Sequence, residues 1–129
     1  MKINFIVRCA TLFAVLFLAV GLAGRAQAQP ATPNPNLALL DDAYATLAQA
    51  DHDYKGHRVL AMKQIELAVQ ELGGKISGKG KGHEPQGTSD AQLKAAQTLL
   101  QQAGTGLAGK ALTHVNNAIK QINTALAIK

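Results

Sequence analysis

One segment of this chain occurs twice, without a gap. His57-Arg-Val-Leu-Ala61-Met-Lys63-Gln64-Ile65-Glu-Leu-Ala68-Val69 lies over His114-Val-Asn-Asn-Ala118-Ile-Lys120-Gln121-Ile122-Asn-Thr-Ala125-Leu126, and six of the thirteen positions are identical, the leading histidine among them. Upstream, Leu93, Ala96, Leu100 and Ala103 repeat the spacing of Leu40, Ala43, Leu47 and Ala50. The repeat therefore covers two segments per copy, with four extra residues in the second turn. Steps of three and four residues put apolar side chains on one stripe of a helix. Two copies of a two-helix unit predict an all-α fold, an antiparallel four-helix bundle built from two repeated helical hairpins.

The first residues stand apart from this pattern. Lys2 and Arg8 precede an uncharged apolar run, Cys9 to Gly24, and Ala26-Gln27-Ala28 supplies small residues before Gln29-Pro30. That is the layout of a secretory signal peptide over residues 1–28. The run is shorter than the roughly 20 residues a spanning helix needs. The expected mature chain is periplasmic or secreted, with no membrane attachment.

Removing that segment changes the charge. Lys2, Arg8 and Arg25 leave and all eight acids stay, so the net charge falls from +5 to 10 − 8 = +2. The basic pI belongs largely to the targeting segment, and nucleic acid is not an expected partner. Cys9, the only cysteine, leaves as well, which removes disulfides and thiolate metal sites.

Residues 29–36, with three prolines, read as an extended tether, and the bundle is expected over 37–129. Asn36 is the expected N-cap of the first helix, which ends near Ala50 or Asp51. Asp53 is the expected cap of the second, whose core face reads Arg58, Ala61, Ile65, Ala68 and Leu72 before Gly73-Gly74 stops it. The hairpins are expected over 37–72 and 89–128. Residues 73–88 hold six glycines and one proline and read as a flexible crossover. Ser89 or Asp90 is expected to cap the third helix, and the fourth runs from about Lys110 to Ile128, with Val115, Ile119, Ile122 and Leu126 as its stripe. Tyr44 and Tyr54 read as fillers at the edge of the core.

In an up-down-up-down bundle the second and fourth helices point the same way, and their heads share one end. That end gathers His52, Asp53 and His57 from one hairpin and His114 from the other. Asp53 and His57 are four apart and can stand on one helical face. A carboxylate and an imidazole so placed chelate divalent copper, nickel or zinc. The alternative is structural. Asp53 then caps the helix, and His57 and His114, each four residues before an alanine, pack on the rim of the core. No nucleophile arrangement, HExxH helix or paired Glu-x-x-His sequence appears, so no enzymatic activity is expected. Two other readings remain: a non-enzymatic protein-interaction module of the cell envelope, and a homodimer whose hairpins pair between chains.

Lys55-Gly56-His57 opening the second helix, and Thr113-His114-Val115 followed by Ile119-Lys120 in the fourth, resemble the small metal-binding protein family. Its members are secreted, cysteine-free, two-hairpin bundles that bind divalent metals through many histidines. The resemblance implies metal binding here, but this chain has Asn117 and Gln121 where that family repeats histidine. What carries over is one site at His57 and His114, helped by Asp53 and His52.

Overall fold

The computed structural model describes residues 34–50, 54–78 and 86–128. The chain divides into two units, Met1–Ala31 and Thr32–Lys129, and every described residue belongs to the second. The signal-peptide assignment, and His52 and Asp53, lie outside the described residues. Four helices pack together as an all-α antiparallel bundle: α1 Pro35–Gln49, α2 His57–Glu71, α3 Gln86–Thr105 and α4 Gly109–Leu126, with a short 3₁₀ turn at Tyr54–Gly56 ahead of α2.

The helix starts differ from expectation for identifiable reasons. Asn34, not Asn36, caps α1: its Oδ1 accepts from the Asn36 amide at 3.0 Å, and Pro35 fills the first helical position, where its missing N–H costs nothing. Asn36 instead donates Nδ2 to the Gly106 carbonyl at 3.2 Å, tying the start of α1 to the turn of the second hairpin. The residue capping α2 is Gly56 at φ 85°, with no side-chain cap bond. It follows Tyr54 and Lys55, which also sit in the left-handed region at φ 50° and 54°.

Helix α3 begins ahead of both expected caps. Ser89 is buried inside it, and Asp90 accepts the Tyr54 hydroxyl at 2.5 Å, so a side chain from the other hairpin engages the carboxylate. Tyr54 itself is 1% exposed, deep in the core rather than at its edge. The end of α2 is as expected. The Gly73 and Gly74 amides donate to the Gln70 and Val69 carbonyls at 2.9 Å each, and Gly73 takes the left-handed conformation (φ 72°) that closes such a helix end.

The core follows the repeated stripe. Leu40, Ala43, Leu47 and Ala50 face Leu93, Ala96, Leu100 and Ala103, while Ala61, Ile65, Ala68 and Val69 meet Val115, Ala118, Ile122 and Ala125. Alanine at every second or third core position lets the backbones approach closely. Arg58, on the predicted core face, is half-buried and donates Nη1 to the Leu47 carbonyl at 3.1 Å, which places a cation in the last turn of α1.

The helix directions correct the expected topology. His57 pairs with Gln121, and His114 with Gln64. The head of α2 therefore faces the tail of α4, and the two run antiparallel. Asn36 at the start of α1 meets Gly106 at the end of α3, so those two are antiparallel as well. The order is up-down-down-up. The largest interfaces are α2–α4 and α1–α3, each between hairpins, with smaller ones within hairpins. A pseudo-twofold axis perpendicular to the helices exchanges the two copies.

The crossover explains why. Between Glu71 and Gln86 lie 86 − 71 − 1 = 14 residues, enough to reach about 45 Å when extended. The 15-residue α2 is only about 22 Å long. The connection can therefore return the full length of the bundle, and it climbs along α1: Ser77 and Gly78 donate their amides to Asp41 Oδ1 at 2.8 Å each, and the Ser77 hydroxyl donates to Oδ2 at 2.5 Å.

Candidate metal centre

Each repeated histidine is held by the glutamine of the opposite copy. His57 donates Nδ1–H to Gln121 Oε1 at 2.7 Å, and His114 donates Nδ1–H to Gln64 Oε1 at 2.9 Å. An amide oxygen only accepts, so Nδ1 is the donor in this contact, and in the neutral ring Nε2 carries the lone pair. Both histidines and both glutamines are half-buried, on the rim of the α2–α4 interface. The spacing produces this arrangement directly. Histidine and glutamine stand seven residues, two helical turns, apart in each copy. When two such helices pack antiparallel about a twofold axis, each histidine meets the other's glutamine.

A common pole for the two imidazoles is not what forms. His57 lies level with Gln121 and His114 level with Gln64, which separates the histidines by about 10 Å of helical rise. Each ring is engaged by a glutamine at its own level, so the head-to-head meeting expected of them does not form. The expectation failed because it assumed parallel α2 and α4. The structure brings together His57 with Gln121 and His114 with Gln64. It does not unite His57 with His114, and His52 and Asp53, which precede α2 in sequence, are outside the described residues.

A histidine that ligates a metal through one ring nitrogen commonly donates the other to an oxygen acceptor, which orients the ring and raises its basicity. The Gln121 and Gln64 contacts have that form. Among the described residues no three His, Cys, Asp or Glu side chains gather. A site with three ligands at His57 would take donors from outside the described residues, where Asp53 and His52 lie four and five positions earlier in the sequence.

Gln64 and Gln121 are the residues that sequence reasoning missed. Their signal was present, because both are identical in the repeat at a fixed distance from the histidine. Periodicity alone assigns them to a face and not to a partner. No family model, curated protein or solved structure matches the chain.

Proposed function

We propose that the protein is an exported four-helix bundle that weakly binds a divalent transition metal, copper, nickel or zinc, as a buffer or sequestering protein. His57 is the anchoring ligand through Nε2, with Asp53 and His52 as further ligands and Gln121 as the group that orients the ring. His114, oriented by Gln64, is an equivalent but separate position with no carboxylate or second histidine near it in sequence. The observation that carries this reading is the contact of His57 Nδ1 with Gln121 Oε1, which leaves Nε2 of the half-buried ring for a ligand bond, in a helix that follows Asp53 and His52 in the sequence.

Isothermal titration of residues 29–129 with Cu(II), Ni(II) and Zn(II) tests it. His57→Ala should abolish the strongest site, and His114→Ala should leave it. Gln121→Leu should weaken it by about tenfold. At a hundredfold excess of metal over Kd, the folded state should gain about 2.7 kcal/mol. Unchanged binding by the His57→Ala protein would refute the assignment.

A second reading rests on a separate observation. Val59 and Leu60 are 52% and 47% exposed on α2, next to His57, while the second copy carries Asn116 and Asn117 at those positions. An interaction module of the cell envelope would use that apolar pair. Under it, metal leaves the melting temperature unmoved, and Val59→Asn with Leu60→Asn abolishes recovery of a defined partner from envelope extract.

A further inference from the structure

The internal repeat supplies its own control for a second site. In the first hairpin Tyr44 donates its hydroxyl to Glu66 Oε1 at 3.0 Å, bridging α1 and α2. The corresponding positions of the second hairpin are Gln97 and Asn123, where Gln97 Nε2 donates to Asn123 Oδ1 at 2.9 Å, bridging α3 and α4. A neutral amide pair is thus enough to clasp a hairpin at this level. The first copy instead places a carboxylate there, in a half-buried position.

The surroundings of the two pairs differ in one further respect. Among the described residues, the crossover lies alongside the first hairpin, and between them opens a cleft of about 700 Å³. Its walls include Tyr44, Glu66, Val69, Lys75, Ile76 and Ser77. The volume falls within the range of small-molecule sites, as does the combination of apolar walls and a few polar groups. The crossover wall is fixed rather than loosely draped. Asp41 receives three hydrogen bonds from Ser77 and Gly78, and Gly78 lies so close to α1 that an added Cβ would meet the Asp41 carbonyl oxygen and Ala45 Cβ at 3.0 Å each.

We propose that this cleft binds a small zwitterionic ligand, an ammonium and a carboxylate joined by a short apolar body. The ammonium engages Glu66, the carboxylate engages Lys75, and the body lies on Val69 and Ile76. The charges select the class. A plain cation would meet the Lys75 ammonium, a plain anion would meet Glu66, and only a ligand carrying both signs is complementary to both walls. Tyr44 holds one carboxylate oxygen of Glu66 and orients the group. Burial, then the bond to Glu66, raises the Tyr44 pKa, so the hydroxyl remains a donor.

Amide NMR titration of the full-length bundle tests the proposal with three probes: ε-aminocaproate, hexylamine and hexanoate. The zwitterion should produce saturable shifts at Val69, Ile76 and Ser77, and each half-ligand should bind about tenfold more weakly or not at all. Glu66→Gln, which preserves the acceptor for Tyr44, should weaken ε-aminocaproate by about tenfold, as should Lys75→Ala. His57→Ala should have no effect, which separates this site from the metal centre. The proposal is overturned if no probe saturates at the cleft, if Glu66→Gln binds as wild type, or if either half-ligand binds as tightly as the zwitterion. A melt confirming that Glu66→Gln is folded excludes trivial loss.

Discussion

His57 and Gln121 form one contact, and His114 and Gln64 form its image, so the two can be compared within one molecule. Each is a half-buried side-chain hydrogen bond between helices, of the kind that contributes about 1 kcal/mol net. A double-mutant cycle on His57→Ala and Gln121→Ala should therefore give a coupling energy of about 1 kcal/mol in urea unfolding. The cycle on His57→Ala and His114→Ala should give none. Coupling between the two histidines would restore the shared pole and reject the antiparallel arrangement. Much of this site could be read in advance, because histidine and glutamine recur at the same seven-residue distance in both copies. Direction could not: a stripe of side chains looks the same whichever way its neighbour runs. Asp41 was equally opaque, since its partners come from a glycine-rich segment with no pattern. Its carboxyl is held below the ordinary 3.8, chiefly by the Ser77 hydroxyl, against a smaller opposing effect of burial and with help from the Gly78 and Ser77 amides. A depressed folded-state pKa means that its stabilisation is complete above 3.8 and disappears as pH falls through the folded value. Between about pH 5 and pH 2 the melting temperature of the wild type should fall further than that of Asp41→Asn, which lacks this titration.

At the level of elements, the segment ahead of α2 shows a local cost carried by a tertiary contact. Tyr54 and Lys55 both occupy the left-handed region, at about 1–2 kcal/mol for each side-chain-bearing residue. What holds them there is the burial of the Tyr54 ring and its bond to Asp90 on α3. The expected cap, Asp53, followed from helix-start chemistry, which does not foresee that a tyrosine three residues before the helix would turn inward. Tyr54→Phe keeps the ring and removes the bond, leaving Asp90 without it. It should cost about 1–3 kcal/mol by urea unfolding, and amide exchange should rise first in 54–58. The first part of the crossover is the other stretch whose packing composition concealed. Six glycines suggested flexibility, yet residues 74–78 lie against α1. Gly78→Ala adds a methyl that meets backbone as well as side chain, so the segment must move away from α1. It should weaken the bonds to Asp41 and cost about 1–2 kcal/mol, read from the melting temperature.

For the whole molecule, the repeat and the interfaces together say where the folding unit lies. Within a hairpin the helices share the smaller interfaces, whereas α2 on α4 and α1 on α3 form the larger ones that unite the stripes of both copies. Helices of 15 residues, such as α1 and α2, are marginal alone in water, and most of their stability must come from tertiary packing. That packing is supplied by the other hairpin. The two copies are therefore halves of one cooperative structure and not two small domains joined by a linker. A peptide of residues 34–78 and another of 86–128 should each show weak helical circular dichroism at low micromolar concentration. Mixed in equal amounts, they should regain helicity beyond the sum of the two, with a melting temperature that rises with concentration, as expected when association and folding are one equilibrium. Pseudo-twofold symmetry adds a further expectation: at higher concentration either peptide alone should self-associate, each copy presenting to its twin the stripe it presents to the other hairpin. Full helicity in either isolated peptide, independent of concentration, would move the core inside the hairpins and contradict the interfaces on which the paired His–Gln contacts depend.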